Sequence, residues 1–142
     1  MRISNILLEK GSEVYVVDAE SSILDASELL EKEKIGAVPV MNNKKVIGVL
    51  SERDIARGLA VFKNKISSLK VRDLMSKGEL FTCDPEDTVD NCLSIMSGRR
   101  VRHLPVLEKG SLVGIVSIGD LVKIKMAEVE EEAKRLREYI YS

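Results

Sequence analysis

The sequence predicts an α/β (α+β) fold in which a β-α-β-β-α unit occurs twice and a long C-terminal helix follows. Two observations indicate this fold class. An offset of 66 residues places Pro39 on Pro105 without a gap, and apolar positions then coincide along the whole unit. Within each unit the apolar residues recur first at strand spacing, then at helix spacing, and then at strand spacing again.

From Val14 onward, seven positions of the first unit are identical to their counterparts in the second. In the first unit they are Asp18, Glu20, Pro39, Val40, Gly48, Ser51 and Asp54. Because the chain holds two such units rather than many, we expect a pseudo-symmetric pair packed through its sheets instead of a solenoid.

The first unit begins with a predicted strand over Val14–Val17 and a helix that Ser22 caps. One face of that helix is apolar, at Ile23, Ala26, Leu29 and Leu30. Strands over Val38–Met41 and Val46–Leu50 follow, joined by a polar turn, and a second helix starts after Ser51.

The second unit repeats this order, with a predicted strand over Leu80–Cys83, a helix capped by Thr88 and a turn at Gly110. Its last helix runs from Leu121 to Tyr141 without Gly or Pro. A narrow apolar seam continues along it, at Met126, Val129, Ala133, Leu136 and Ile140. The seam fits a helix lying on its own domain or a helix packing on another subunit, and we favour the second.

We divide the chain into a first unit (1–62), a linker (63–70), a second unit (71–125) and a C-terminal extension (126–142). Short helical segments are expected to lead into each unit. They are Ile3, Ile6 and Leu7 for the first unit, and Val71 to Met75 for the second.

Composition excludes several classes of function. Twenty-two basic and 23 acidic residues give a net charge of −1, and aromatic residues are few, so nucleic-acid binding is disfavoured. A single histidine and the spacing of Cys83 and Cys92 predict no metal site, and we expect two buried, reduced thiols. No targeting segment or membrane-length apolar run is found, so we expect a cytoplasmic protein.

The stretches Ser51-Glu52-Arg53-Asp54 and Ser117-Ile118-Gly119-Asp120 each follow a strand and open a helix. Ser with an acidic residue three positions later is close to a capping box, which is a structural role. The same helix N-terminus offers N–H groups to an anion. Because the Asp carboxylate can also accept hydrogen bonds from two ribose hydroxyls, the pattern favours a nucleotide over a bare phosphate.

The residues before the two aligned prolines differ in charge. Gly36-Ala37-Val38 is apolar, whereas Arg102-His103-Leu104 carries a strong phosphate binder and a group that can charge near neutral pH. Arg99 and Arg100 are interpreted as solvated cations at a helix end.

We expect Arg102 and His103 to lie beside Asp120, so that the Asp120 cleft binds a phosphorylated ligand more tightly. The Asp54 cleft is expected to be roomier and more neutral, with Arg53 as its main cation.

The motifs IGAVPV…VIGVLSERDIAR and VRHLPV…LVGIVSIGDLVK together resemble a tandem CBS (cystathionine β-synthase) domain pair, also called a Bateman module. The resemblance covers residues 3–125, and the chain is similar to small stand-alone prokaryotic proteins made of one such pair. It implies two clefts that bind AMP, ADP or ATP, with NADH or S-adenosylmethionine as lesser candidates. It also implies a homodimer.

The resemblance carries the role of holding ribose to Asp54 and Asp120, and places Ser51 and Ser117 near ribose or phosphate. The segment before each proline, its strand neighbour and the first strand of the opposite unit line each cleft. For the Asp120 cleft these residues are Arg102, His103, Leu104, Ile115, Tyr15 and Val16. For the Asp54 cleft they are Arg53, Gly36, Ala37, Val38, Phe81 and Thr82.

The leading hypothesis is a nucleotide-sensing regulatory module that shifts between arrangements within a dimer and acts on an unknown enzyme. No activated nucleophile or acid/base carboxylate pair is visible, so no catalytic residue is assigned. The alternative is a protein–protein adaptor that uses the C-terminal helix and has vestigial clefts.

Overall fold

The computed structural model describes residues 1–11 and 13–141. Its elements, in chain order, are α1 (Ile3–Lys10), β1 (Val17–Asp18), α2 (Ile23–Glu33), β2 (Ala37–Asn42), β3 (Lys45–Ser51), α3 (Glu52–Phe62), a 3-10 helix (Lys63–Ser68), α4 (Val71–Leu74), α5 (Val89–Arg99), β4 (His103–Glu108), β5 (Ser111–Ser117) and α6 (Ile118–Tyr141). The predicted fold class is confirmed, including the long C-terminal helix.

Equivalent helices of the two repeats begin in the same way. The Ser22 hydroxyl accepts a hydrogen bond from the Asp25 N–H at 3.1 Å, and the Thr88 hydroxyl accepts one from the Asn91 N–H at 3.1 Å. Each cap satisfies a backbone donor that has no partner inside its helix. Both predicted caps are therefore confirmed.

The two hairpins are also alike. β2 pairs with β3 and β4 pairs with β5, both antiparallel, and each pair has a register shift at the same repeat position, after Val40 and after Val106. Positive φ angles at Asn43 and Lys44, and at Lys109 and Gly110, make the tight turns whose twist suits a hairpin. The two hairpins therefore present their following helices, α3 and α6, in equivalent positions.

The first strand of each repeat is shorter than predicted. In the first repeat only Val17 and Asp18 pair with β2, in parallel. In the second repeat the predicted strand Leu80–Cys83 is wrong, since a single bridge between Cys83 and Val106 remains. Leu80 instead lines a cavity.

The two leading helices are exchanged between the repeats. Ile3 of α1 is fully buried in the core of the second repeat, and Val71 of α4 is fully buried in the core of the first. The Ile3 N–H donates to the Asp87 carbonyl at 2.9 Å, and the Val71 N–H donates to the equivalent Ser21 carbonyl at 2.8 Å. Each helix thus packs on the repeat that its sequence position does not lead into, which corrects the expectation.

Two glycines permit this exchange. A Cβ at Gly114 would lie 2.6 Å from Leu7 Cδ2, and a Cβ at Gly48 would lie 3.2 Å from Met75 Sδ. Both distances are shorter than ordinary packing, so a side chain at Gly114 would require Leu7 to move and one at Gly48 would require a smaller shift of Met75.

The predicted buried thiols are confirmed, because Cys83 and Cys92 are both buried and free. The hydrogen bond with Cys92, together with burial, raises the pKa of the Cys83 thiol. Of the described helices, none combines the length and apolarity needed to cross a membrane.

Candidate functional site

Both Ser-x-x-Asp stretches form the same capping box. In the first, the Ser51 hydroxyl accepts from the Asp54 N–H at 3.2 Å and Asp54 Oδ2 accepts from the Ser51 N–H at 2.9 Å. In the second, the corresponding distances at Ser117 and Asp120 are 3.1 and 2.9 Å. The structural role is therefore present in both repeats, and one oxygen of each carboxylate remains for another partner.

A cavity of about 670 Å³ lies beside Asp54 and is lined by residues of both repeats. Such a volume is within the usual range for pockets that hold a small organic ligand. Its apolar lining comes from Ile47, Val49, Leu80, Phe81, Met96, Val101 and Ile118. The cavity thus combines an apolar wall with the N-terminus of α3.

Charged side chains of both signs line the same cavity. The cations are Arg53, Arg57, Arg100 and Arg102, and the carboxylates are Glu52, Asp54 and Glu79. Among the described residues, none forms an ion pair with Asp54. Because guanidinium groups bind phosphate well and an unpaired carboxylate can accept hydrogen bonds from hydroxyls, the cavity suits a ligand that carries both groups.

His103 lies between the two clefts. Its pKa is lowered, chiefly because burial disfavours the charged imidazolium; Lys10 and Arg102 lower it further, whereas Asp120 and Asp54 raise it. The ring is therefore mostly neutral at pH 7 in this structure. An anion bound beside it would favour the protonated form.

Asp120 has a cationic partner that Asp54 lacks. Lys10 Nζ donates to Asp120 Oδ2 at 2.8 Å and to the Ile115 carbonyl at 3.0 Å. Burial alone raises the pKa of Asp120, but the hydrogen bonds from Lys10 and from the Ser117 N–H outweigh it and hold that pKa below its usual value. The carboxylate of the second cleft is thus ionised and already paired.

The structure brings most of the expected residues of the Asp54 cleft together. Those that line the cavity are Gly36, Ser51, Arg53, Asp54 and Phe81. Arg99 ends α5 and its guanidinium lies 5.2 Å from the centre of the Phe81 ring, which agrees with its interpretation as a helix-end cation.

Arg102 and His103 lie beside the start of α6, since His103 pairs with Ser117 across the hairpin and the Ile118 N–H donates to the Arg102 carbonyl at 2.8 Å. Both residues also line the Asp54 cavity, which the sequence did not predict. Arg53, the expected main cation of the Asp54 cleft, is therefore joined by Arg57, Arg100 and Arg102, and the carboxylates of Glu52, Asp54 and Glu79 offset much of their charge.

Several expected residues offer only backbone or pack elsewhere. The side chains of Ala37, Val38 and Leu104 are buried in the core. Tyr15 packs on the core of the first repeat, and its hydroxyl donates to Glu13 at 2.6 Å, which raises the pKa of Tyr15. Val16, expected in the Asp120 cleft, is exposed, and Thr82, expected in the Asp54 cleft, is half-buried and does not line the cavity there.

Four residues of interest were missed from the sequence. Arg57 follows Arg53 by one helical turn, so the spacing on α3 could have revealed it. Arg100 caps α5 in a left-handed conformation and still reaches the cavity. Lys10 and Gly78 carry no local signal, because their positions depend on the exchange of the leading helices.

Comparisons with known proteins agree with this architecture. The CBS domain family matches residues 9–61 and 71–127. CBS domain-containing protein CBSX3, mitochondrial, of Arabidopsis thaliana is 31% identical over 146 residues, which cover 97% of this chain and 71% of that protein. The crystal structure of the CBS-domain containing protein ATU1752 from Agrobacterium tumefaciens superposes with a TM-score of 0.81 and 36% identity, over 88% of this chain and 99% of that one.

An enzyme also contains a related segment. Inosine-5'-monophosphate dehydrogenase of Staphylococcus epidermidis is 32% identical over 116 residues, but these are 80% of this chain and only 22% of the enzyme. Among the described residues, no group of three or more His, Cys, Asp or Glu side chains could hold a metal ion. With two family matches that together span most of its length, the chain belongs to the CBS domain family as a tandem pair.

Proposed function

We propose that this chain is a regulatory module that binds an adenosine nucleotide, with AMP as the first candidate, in the cavity beside Asp54. One observation carries the proposal: an unpaired carboxylate and four arginines line a single cavity of about 670 Å³. A nucleotide needs a hydrogen-bond acceptor for its ribose and cations for its phosphate, and this cavity holds both. A bare phosphate would gain nothing from Asp54.

Each part of the ligand has a partner in this proposal. The ribose hydroxyls donate to the free oxygen of Asp54, and Arg53, Arg100 and Arg102 pair with the phosphate. The adenine packs against the apolar wall, where Phe81 offers an aromatic face. His103 adds a donor once the phosphate favours its protonated form.

Two solved structures of similar fold support the choice of an adenosine ligand. A CBS domain pair of protein MJ0100 is described in complex with 5-methylthioadenosine and S-adenosyl-L-methionine, at a TM-score of 0.78 and 24% identity. CBSX2 is described in complex with AMP, at a TM-score of 0.69 and 22% identity. These identities show a shared fold, so the ligand of the present chain rests on its own residues.

Binding would act by favouring one arrangement of the two repeats, or of a homodimer, over another. That shift requires the ligand to have a higher affinity for one arrangement. In this proposal the chain has a regulatory role and catalyses no reaction itself. The enzyme that it regulates has yet to be identified.

Thermal unfolding with AMP, ADP, ATP, NADH and S-adenosylmethionine tests the proposal. At 100 times the dissociation constant a ligand stabilises the folded state by about 2.7 kcal/mol, so AMP should raise the melting temperature by several degrees. Ribose 5-phosphate, which lacks the base, serves as the control and should give a smaller shift. If no adenosine compound shifts the melting temperature at millimolar concentration, the proposed function is wrong.

A second function is favoured by the exposed seam on α6. Met126, Val129, Leu136 and Ile140 are each more than half exposed, so this part of the helix does not lie on its own domain. An adaptor would use that seam to bind a protein. If the chain is an adaptor, truncation after Lys125 should abolish partner binding and leave nucleotide binding unchanged. If the seam has no such role, the truncation should change neither partner binding nor nucleotide binding.

A further inference from the structure

Lys10 is the last residue of α1, and its ammonium group reaches into the cleft of the opposite repeat. It donates to Asp120 at 2.8 Å and to the Ile115 carbonyl at 3.0 Å. The Lys10 side chain is 40% exposed and the Asp120 side chain is 28% exposed, so the pair is partly accessible to solvent. Lys10 contacts Oδ2, which also accepts from the Ser117 N–H, and its ammonium group occupies the space between the carboxylate and the Ile115 carbonyl.

The first repeat has no equivalent of this lysine. Leu7 of α1 packs on Gly114, and Met75, just after α4, packs on the equivalent Gly48. Counting three residues onward from each contact gives Lys10 in one exchanged segment and Gly78 in the other. Gly78 lines the Asp54 cavity, and having no side chain it leaves the Asp54 carboxylate open.

We propose that Lys10 occupies the Asp120 cleft in place of a ligand, so that the chain binds one nucleotide rather than two. Lys10 is thus a residue that helps to determine which of the two Ser-x-x-Asp clefts is used. The proposal rests on the proposed function, because it assumes that an open Ser-x-x-Asp cleft of this fold binds a nucleotide.

The electrostatics of the pair explain why a ligand would not displace Lys10. A ribose hydroxyl is neutral, so displacing Lys10 would replace an ion pair with a hydrogen bond from an uncharged donor. The ammonium group also stands at the C-terminal end of α1, where a cation is favoured by the helix dipole. A ligand that enters would have to separate Lys10 from both favourable partners.

Isothermal titration and equilibrium dialysis of the full chain with AMP, and separately with adenosine, test the proposal. Adenosine is included because the opened cleft loses a cation that could otherwise attract phosphate. The wild type should bind one equivalent per chain. Lys10→Gly, which copies the other repeat, should bind two equivalents of at least one probe, and adding Asp120→Asn should remove the second.

Lys70→Ala is the matched control. Lys70 lies in the other exchanged segment and forms an ion pair of the same length, 2.8 Å, with Glu20 outside the Asp54 cavity. It should still bind one equivalent. Circular dichroism checks that every variant is folded.

Each other outcome has a defined meaning. Two equivalents in the wild type, or one equivalent in folded Lys10→Gly with both probes, overturns the inference and leaves the proposed function standing. Loss of binding in Lys10→Gly also overturns it, because Lys10 would then be a ligand contact. No binding by either protein overturns both proposals, whereas binding by Lys10→Gly alone overturns the proposed function and supports only the blocking role of Lys10.

Discussion

The Asp54 cleft and the Asp120 cleft start from the same local geometry and end in different states. Both have a serine-capped helix, a matching aspartate and a hairpin with the same register shift. The Asp54 cleft opens into a cavity with four arginines, whereas Lys10 already binds the carboxylate of the other cleft.

The two clefts differ in the side chains that other segments of the chain add to them. An exchanged segment supplies Lys10 to one cleft and Gly78 to the other, and the segment before β4 adds Arg100 and Arg102 to the Asp54 cavity. The backbone that the two repeats share thus determines where a ligand can bind. A few side chains from outside the Ser-x-x-Asp motif determine whether a ligand binds there.

The largest expected effect separates the two aspartates. In Asp54→Asn the amide oxygen can still hold the capping bond, but no free acceptor remains for ribose, so AMP affinity should fall by about 10- to 100-fold. Asp120→Asn should leave AMP affinity unchanged, since Lys10 occupies that carboxylate. Titration calorimetry of both variants measures the asymmetry, and equal losses would mean that the clefts are equivalent.

The glycines under the exchanged helices provide the next test. Gly114→Ala would place a Cβ 2.6 Å from Leu7 Cδ2 and should cost about 1–3 kcal/mol of unfolding free energy. Gly48→Ala meets the flexible Met75 at 3.2 Å and should cost less. Urea unfolding compares the two. Adding Leu7→Ala should relieve part of the strain in Gly114→Ala, and an absence of any relief would show that this contact is not its source.

His103 should make binding depend on pH. Burial lowers its pKa in the folded chain, so the unfolded chain binds its proton more strongly and stability should fall as pH drops below about 6.5. A bound phosphate favours the protonated ring, so AMP binding should take up protons.

Titration calorimetry near pH 6.5 in buffers of different ionisation enthalpy measures that proton uptake. His103→Gln lacks the ring that becomes protonated, so it should take up fewer protons than the wild type. The phosphate and the arginines are unchanged in this variant, so the difference reports on His103. Equal proton uptake by both proteins would place the phosphate away from His103.

The smallest expected effect is on stability in Lys10→Ala. The ion pair with Asp120 is partly exposed, so its loss should change the unfolding free energy by about 0–1 kcal/mol. Because the pKa of Asp120 is lowered, this contribution is present above about pH 4 and lost as pH falls further. Denaturant titrations at pH 7 and pH 3 check this, and a loss of several kcal/mol would give Lys10 a mainly structural role.

Much of the fold could be predicted because its signals are local. The caps at Ser22 and Thr88, the hairpin turns and the apolar helix faces each lie within a few residues of one another. The exchange of the leading helices could not be predicted, because Ile3 and Asp87 meet only after both repeats have folded. The strand expected at Leu80–Cys83 was wrong for a similar reason, since strand pairing depends on a neighbour that sequence does not name.

The site divides in the same way. The Ser-x-x-Asp pattern located Asp54 and Asp120 correctly at helix starts, because capping chemistry is local. The expected position of Arg102 and His103 beside Ser117 agrees with the hairpin register, but their contribution to the Asp54 cavity could not be predicted, because it depends on how the two repeats pack. Inequivalence between the clefts arises from contacts more than 100 positions apart, such as Lys10 with Asp120.

A crystal structure of the chain grown with AMP tests the central claim most directly. We expect one AMP per chain beside Asp54, with its ribose on that carboxylate, its phosphate among Arg53, Arg100 and Arg102, and Lys10 still bound to Asp120. AMP bound at Asp120 with Lys10 displaced would contradict the account.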